Sequence, residues 1–241
     1  MIRAVAARLV VPLLLASASA APDQGAQHPS AAELLDQFQT STVFWKQFEV
    51  AKAIVAARDT KVLPQFESLL THEDRHLRGN AAFILAGLAD PRGFDVIVAI
   101  LADRSERRAV YEISSVGRPW VQGQIREDRY YAAHLLGDLK DPRAIPILVP
   151  LLKDPDVNYI VPWSLAQIGD RSAIQPLIGT LSDRDPSMRV LAIHALEDLK
   201  ASEALPKLRE LLTDNERCNF DKLESVAHAA QSAIARLSSE K

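Results

Sequence analysis

The sequence predicts an all-α protein built as a right-handed α-solenoid of helix pairs, and three observations support this fold class. One segment occurs twice, opening at Asp141-Pro142-Arg143-Ala144-Ile145 and again at Asp170-Arg171-Ser172-Ala173-Ile174. Each copy continues through an apolar helix, an Asp-containing turn and a second apolar helix, and a period of about 30 residues is typical of stacked helical repeats. Large apolar residues also recur at helical spacing, and several prolines fall where helices are predicted to begin.

The first 20 residues resemble a secretory signal peptide. Arg3 and Arg8 precede an apolar run at 9–15, and Ala18-Ser19-Ala20 provides small residues suited to cleavage after Ala20. Pro12 and the nearby serines leave too short an apolar run for a membrane anchor. We therefore expect an exported protein, periplasmic or secreted, with residues 21–29 as a flexible leader and no membrane span in the mature chain.

Charge and cysteine content limit the possible partners. The chain has 28 Lys+Arg and 31 Asp+Glu, a net charge of −3, and loss of Arg3 and Arg8 would make this 26 against 31, or −5. Such a chain has no basic excess for nucleic acid. The single Cys218 cannot form an internal disulfide, so packing must hold the fold.

The first predicted unit is an N-terminal helical cap at 30–58. Ser30 and Glu33 have capping-box spacing directly before Leu34, which predicts a helix start. A second helix is predicted at 43–58. Solenoids need atypical end units to cover their exposed core, and this pair fits that role.

Five repeats are predicted at 59–241. The first helix of each unit carries large apolar residues at i, i+3 and i+7, and four second helices carry them at i, i+4 and i+7, so each helix has one apolar face. The first-helix sets are Leu63/Phe66/Leu70, Phe94/Ile97/Leu101, Ile145/Leu148/Leu152, Ile174/Leu177/Leu181 and Leu205/Leu208/Leu212. The second-helix sets are Ala81/Leu85/Leu88, Ala132/Leu136/Leu139, Val161/Leu165/Ile168 and Ala192/Leu196/Leu199.

The prolines support this register with two exceptions. Four of them fall at or near the first turn of first helices, where no intrahelical N–H bond is lost: Pro142, Pro146, Pro176 and Pro206. Pro150 and Pro162 fall inside predicted helices, so we expect kinks in the third unit.

An insertion at 104–128 interrupts the second repeat. Leu101 and Leu139 are separated by about 20 more residues than the corresponding positions of other units, and the extra segment is cationic, aromatic and irregular in pattern. Long insertions in compact repeats are often binding loops, and Arg118 and Trp120 are the residue types that anchor interfaces. The alternative is a loop that only covers the second and third units.

The segment from Arg129 to Ala144, which contains Ala132-Ala133, Leu136-Gly137 and Asp141-Pro142-Arg143-Ala144, resembles the HEAT-repeat superfamily, in particular the short phycobilisome-lyase-like type. The resemblance covers most of 60–212 and implies a helix-pair solenoid. The family includes scaffolds, bilin lyases and a di-iron hydroxylase, so it leaves the function open. It also implies structural ladders of second-helix arginines and turn aspartates, which here are Arg78, Arg129, Arg189, Asp74, Asp154 and Asp185.

One row of second-helix residues is the main candidate for binding. Alignment of the second helices places four residues at one equivalent position: Phe83, His134, Trp163 and His194. Tyr131, Asp138 and Asp198 flank this row. In solenoids of this type the second helices line the concave face, so we expect a protein or peptide partner there. The alternative is that the aromatic residues are core packing and the histidines are ordinary surface groups.

A metal-dependent enzyme, hydrolase or oxidoreductase, is the alternative function. His72-Glu73-Asp74-Arg75-His76 matches the HExxH zinc pattern. However, the repeat register places His72 in a turn and only His76 on a helix, so no i, i+4 histidine face is expected. His134 and His194 with Asp138 and Asp198 are a second candidate set. The leading expectation is a non-enzymatic binding scaffold without metal or cofactor.

Overall fold

The computed structural model describes residues 29–106, 118–221 and 223–239, with the side chains of 118–122 outside the description. Its α-helices are α1 (Ala31–Thr40), α2 (Phe44–Ala57), α3 (Arg75–Gly87), α4 (Pro91–Ala102), α5 (Arg118–Leu139), α6 (Ile145–Leu148), α7 (Val161–Ile168), α8 (Ile174–Thr180), α9 (Pro186–Asp198), α10 (Leu205–Glu210) and α11 (Val226–Ser239). Short 3-10 helices lie at Thr60–Gln65, Glu67–Thr71, Pro142–Ala144, Val149–Lys153, Arg171–Ala173, Ser202–Ala204 and Leu211–Thr213. These described residues form no strand beyond one isolated bridge between Arg217 and Ser225.

The helices stack as an all-α solenoid. The second helix of each unit packs on the next, in the order α2, α3, α5, α7, α9 and α11, while α4, α8 and α10 pack against these helices from the other layer. The apolar positions of both layers meet in one continuous core. The predicted fold class is therefore confirmed. None of the described helices has the length and apolar character needed to cross a membrane.

Aspartates begin many of these helices. The predicted capping box is present, with Ser30 accepting from the Glu33 N–H and Glu33 accepting from the Ser30 N–H. Each further cap uses a side-chain oxygen that accepts from the backbone N–H two residues on, which satisfies a donor that the helix leaves unpaired. These caps are Asp59, Asp74, Asp90, Asp141, Asp170 and Asp185.

Ionic and hydrogen-bond contacts connect each repeat to the next. Arg129, which is 2% exposed, donates to the Leu101 carbonyl at 2.8 Å and pairs with Asp154 of the following unit at 2.7 Å. Arg189 similarly pairs with Asp214 at 2.9 Å. Where Asn158 replaces the arginine, the Tyr159 hydroxyl instead donates to Asp185 at 2.5 Å.

At the first junction Arg75 makes the contact to the next unit. Its guanidinium lies 2.6 Å from Asp103 and 3.1 Å from Asp128. Arg78, which was expected in the ladder, donates to the His72 carbonyl of its own turn at 2.7 Å.

Two local expectations are corrected. The first element of repeat one is two 3-10 helices rather than an α-helix, with Pro64 inside the first of them. In the third unit, α6 changes to a 3-10 helix at Val149, directly before Pro150, and Pro162 lies in the first turn of α7 because that helix begins only at Val161. Pro162 thus occupies a position where the missing N–H has no intrahelical partner.

The insertion is also more regular than expected. Its second part, from Arg118 to Asp128, is continuous with the second helix of the repeat, so that α5 is 22 residues long. Residues 107–117 lie outside the described part of the chain.

Candidate functional site

An aromatic cluster crosses four consecutive second helices. We define it by its ring contacts, which join Phe44, Trp45, Phe48, His76, Phe83, Tyr131, His134 and Trp163. These residues come from α2, α3, α5 and α7. The cluster therefore contains three members of the predicted row, together with residues of α2 that sequence reasoning had assigned only to an N-terminal cap.

Helix α2 reaches past α3 to α5. The Phe48 ring lies 4.9 Å from that of Phe83, and the Trp45 ring lies 5.0 Å from Tyr131 and 5.2 Å from His134. These contacts are edge-to-face, a favoured arrangement of aromatic rings. The rings of α2 thus form one side of the cluster and bring its most exposed member, Trp45, close to His134.

His134 stacks on Trp163 of the next helix, with ring centroids 4.5 Å apart and an interplanar angle of 27°. Gly137, one turn further along α5, permits this approach. A Cβ at that position would lie 2.8 Å from the Ser164 Cα and 3.2 Å from the Trp163 ring. The Leu-Gly pair of the repeat pattern therefore has a direct effect on the geometry of the cluster.

A buried hydrogen-bond network supports the cluster from below. The Tyr131 hydroxyl donates to the Asn80 side-chain oxygen. The Asn80 amide in turn donates to the Gln47 side chain at 2.9 Å and to the Phe44 carbonyl at 3.1 Å. Asn80 is fully buried, and satisfied networks of this kind fix the helices that carry them.

Burial separates the predicted site residues into two groups. Phe83 and Tyr131 are only 4% and 3% exposed, so the expectation that they contact a partner directly is corrected: they support the surface from within. Trp45, which was not predicted, is 37% exposed. His134 and Asp138 have side chains 17% and 20% exposed, and Trp163 is half-buried. We call Trp45, His134, Asp138 and Trp163 the exposed edge of the cluster.

Burial also sets the protonation of the exposed edge. Burial, reinforced by the Lys52 charge and opposed by Glu49, lowers the pKa of His134 to about 4, so its imidazole is neutral at pH 7. Burial raises the pKa of Asp138. The His134 Nδ1 lies 3.7 Å from an Asp138 carboxylate oxygen, beyond hydrogen-bond distance, and finds no hydrogen-bond partner in the described part of the chain.

Lys52 and Glu49 complete the charges around this edge. The Lys52 ammonium lies 5.0 Å from the centre of the Phe48 ring and 2.8 Å from the Glu49 carboxylate. Lys52 occupies on α2 the position that Phe83 occupies on α3 and His134 on α5. Each of the three lies six residues before a residue with positive φ, which is Arg58, Ala89 or Lys140. Sequence alignment missed this because α2 lacks the repeat's apolar pattern.

The remaining predicted residues lie apart from the exposed edge or outside the description. His194 lies on α9, where its Nε2 is 3.2 Å from Glu224, and Asp198 is exposed at the end of the same helix. Arg118 and Trp120 belong to the first turn of α5, but their side chains lie outside the described residues.

The HExxH segment has the geometry that the repeat register predicts. His72 ends the short 3-10 helix and accepts from the Asp74 N–H at 3.0 Å, whereas His76 lies in α3 and stacks on Phe44 at 4.3 Å. Between them, Arg75 is directed into the carboxylates of Asp103 and Asp128. Among the described residues, no three His, Cys, Asp or Glu side chains are grouped as a metal site would require.

The fold and repeat pattern define the class of protein, and comparison with known families agrees. Residues 154–218 match the HEAT repeats family and residues 128–154 match the PBS lyase HEAT-like repeat. The chain therefore contains HEAT repeats at 154–218 and a PBS lyase HEAT-like repeat at 128–154. It is homologous in part to phycobilisome lyase subunits.

Its relatives include three cyanobacterial proteins. The chain is 34% identical over 146 residues to the bilin biosynthesis protein PecE of Mastigocladus laminosus, covering 59% of this chain and 49% of that protein. The same identity and length relate it to PecE of Nostoc sp., of which 53% is covered. It is 37% identical over 95 residues to the phycocyanobilin lyase subunit alpha of Picosynechococcus sp., covering 35% of each. The chain thus spans about half the length, or less, of these curated relatives.

Two solved structures of engineered proteins from the Northeast Structural Genomics Consortium also resemble the chain. One has a TM-score of 0.46 and 20% identity, covering 87% of this chain and 96% of the other. The second has a TM-score of 0.41 and 19% identity, covering 87% and 57%.

Proposed function

We propose that this HEAT-repeat protein is a binding module that recognises a protein partner through the exposed edge of its aromatic cluster. One observation carries the proposal. Trp45 is more than one-third exposed, although it is held by two rings of the neighbouring helix α5, those of Tyr131 and His134. A large aromatic side chain that is both rigid and accessible is typical of interface hot spots, since little conformational entropy is lost when it is covered.

The surroundings of Trp45 support the same function. The stacked pair of His134 and Trp163 and the carboxylate of Asp138 place polar groups at the rim of an apolar patch, which is the usual composition of a protein interface. The buried network through Asn80 fixes the helices beneath, so the surface is preformed. Arg118 and Trp120, at the start of α5, are proposed as further contacts from the insertion.

Substitution of Trp45 tests this function. Partners captured by crosslinking from the producing cell are compared for the wild-type protein, Trp45→Ala and Phe220→Ala. Phe220 is the matched control because it is exposed to a similar extent, 45% against 37%, in the loop between α10 and α11. We expect Trp45→Ala to weaken partner binding by at least about tenfold, while Phe220→Ala leaves it unchanged. Equal binding by Trp45→Ala and wild type would remove this surface from the function.

A second candidate is the binding of a linear tetrapyrrole, which the similarity to bilin biosynthesis and lyase proteins favours. The exposed edge offers planar rings on which such a chromophore could stack. Titration with phycocyanobilin, followed by its absorbance, tests this role. A saturable spectral change that Trp163→Phe weakens would support it, and an unchanged spectrum would rule it out.

The proposal includes export. The signal-like segment at 1–20 lies outside the described residues, so its support is the sequence alone. Cell fractionation followed by intact mass of the purified chain tests it. A mature chain beginning at Ala21 in the exported fraction is expected, and a full-length chain confined to the cytoplasm would contradict it.

A further inference from the structure

The exposed edge contains a partly buried carboxylate that nothing nearby neutralises closely. The Asp138 side chain is 20% exposed, and in the described part of the chain no lysine or arginine lies within salt-bridge distance of it. The Lys52 charge also lowers the pKa of Asp138, but its ammonium is paired with Glu49 at 2.8 Å. Lys140 lowers the pKa of Asp138 only from a distance.

The second unsatisfied group is the imidazole beside it. The His134 Nδ1 is buried and has no hydrogen-bond partner among the described residues, and burial keeps the ring neutral at pH 7. The imidazole contacts the indoles of both Trp45 and Trp163, and the Asp138 carboxylate lies beside it. A ligand at this edge must therefore bring N–H donors to the carboxylate and a flat group to the neighbouring rings.

The chain itself uses the same combination of groups twice, once beside this edge and once elsewhere. The Lys52 ammonium lies over the Phe48 ring and pairs with Glu49. The Arg143 guanidinium lies over the Phe94 ring at 4.3 Å and pairs with Asp141 at 2.6 Å. In each case a cation is held between a ring face and a carboxylate, which is a favourable arrangement. The exposed edge has the ring and the carboxylate but lacks the cation.

We propose that the exposed edge binds an arginine side chain of the partner protein, with the guanidinium bonded to Asp138 and packed against the indoles of Trp45 and Trp163. Arginine fits better than lysine because its planar group can bond both carboxylate oxygens while stacking on an aromatic ring. An acidic ligand is disfavoured by Asp138 and Glu49. This inference rests on the proposed protein-binding function and specifies what the partner must present.

Two defined peptides test the inference on the full chain. Acetyl-Gly-Arg-Gly-amide and its citrulline counterpart have nearly the same shape, but only the first carries a charge and the complete set of guanidinium donors. Binding is followed by the NMR signals of the Trp45 and Trp163 indole N–H groups, assigned with single Trp→Phe variants. We expect saturable shifts with the arginine peptide and at least about tenfold weaker binding of the citrulline peptide, because a charge-assisted hydrogen bond is lost.

Two variants locate the binding. Asp138→Asn should weaken binding of the arginine peptide by about tenfold or more, whereas Asp198→Asn, at the corresponding position two repeats further on, should change it less than twofold. The comparison of the two peptides on the unmodified chain stands even if Asp138→Asn fails to fold. Equal binding of both peptides, unchanged binding by Asp138→Asn, or binding of phycocyanobilin but not of the arginine peptide would overturn the inference.

The outcomes separate this inference from the function on which it rests. If Trp45→Ala no longer binds the partner but the arginine peptide does not bind to the unmodified chain, the exposed edge is the binding surface and the proposed arginine ligand is wrong. If Trp45→Ala keeps the partner, the proposed function itself fails.

Discussion

At the scale of single residues, burial decides which of the equivalent second-helix residues can contact a partner. Phe83 and His134 occupy equivalent places on α3 and α5, yet Phe83 is covered by Phe48 while His134 remains partly accessible beside Asp138. The difference arises because α2 places large rings above α3. A sequence alignment of the second helices cannot show it, since α2 has no matching apolar pattern.

His134 should make stability depend on pH in a defined window. Its pKa is about 4 in the folded chain and near 6.5 when unfolded, so between these values the unfolded state binds the extra proton. The free energy of unfolding should therefore fall as pH drops from 6.5 to 4, by up to about 3 kcal/mol. His134→Phe keeps the ring but not the titration. Denaturant unfolding across this range should show a flatter profile for the variant, and parallel profiles would contradict the burial of His134.

Replacement of Gly93 by alanine should destabilise the fold, whereas the same replacement of Gly179 should not. A Cβ at Gly93 would lie 2.2 Å from the Ala82 carbonyl oxygen, because α4 packs closely on α3. Gly93→Ala should destabilise the fold by about 1–3 kcal/mol or more. Gly179, in α8, has no atom within 4 Å of that position, so Gly179→Ala should stabilise by about 0.5–1 kcal/mol. Thermal unfolding of both variants measures this, and equal melting temperatures would contradict the packing of α3 and α4.

At the scale of elements, the repeats share one way of ending their second helices. The second helices of the first four repeats are each followed by a residue with positive φ at the same position: Ala89, Lys140, Gly169 and Lys200. This left-handed conformation favours glycine, and three of the four positions do without it. The strain is thus a property of the connection between the helices and not of the residue that happens to occupy it.

Ala89→Gly and Gly169→Ala should change the stability of the chain in opposite directions. Ala89 has φ 70° and is exposed, so Ala89→Gly should relieve strain and stabilise the chain by about 0.5–1 kcal/mol. Gly169 has φ 78° and no atom near a Cβ, so Gly169→Ala should destabilise it by a similar amount through the backbone alone. The check is calorimetry of both variants; a loss of stability in Ala89→Gly would contradict the common turn.

The sequence predicts which segments are helical better than it predicts the type of helix and the residue at which each helix begins. The capping box at Ser30 and the helical periods at α4, α5 and α9 are local signals, and the structure contains them. The 3-10 helices at 60–71 and the late start of α7 at Val161 depend on how prolines are accommodated by neighbouring units, which no local pattern encodes. The row of His134 and Trp163 was predictable from the repeat, but the contribution of Trp45 required knowledge of how α2 packs across α3.

At the scale of the whole molecule, buried charged side chains link each of several repeats to the next. Arg75, Arg129 and Arg189 each bridge to the following repeat. Repeat arrays are stabilised by interfaces between adjacent units, so these bridges should strengthen the coupling between them. The single cysteine is free and the described residues have only one isolated β-bridge, so this ladder of ion pairs helps to keep the repeats in register.

Removal of Arg75 should disrupt the first junction. Arg75→Met leaves the fully buried carboxylate of Asp128 without its guanidinium partner, at an expected loss of about 3–5 kcal/mol. Arg92→Met is the matched control, because Arg92 pairs with Asp90 and Glu67 at the surface and should contribute little. Urea unfolding distinguishes the two, and similar midpoints for both variants would show that the buried bridge does not couple the repeats.

The central claim is that a partner protein covers the exposed edge of the aromatic cluster. Photocrosslinking from position 45 tests it most directly, with p-benzoylphenylalanine in place of Trp45 and, as control, in place of Phe220. We predict a discrete crosslinked protein from position 45 that is absent from position 220 and is displaced by excess unlabelled chain. Crosslinking of the same protein from position 220 alone, or none from position 45, would contradict it.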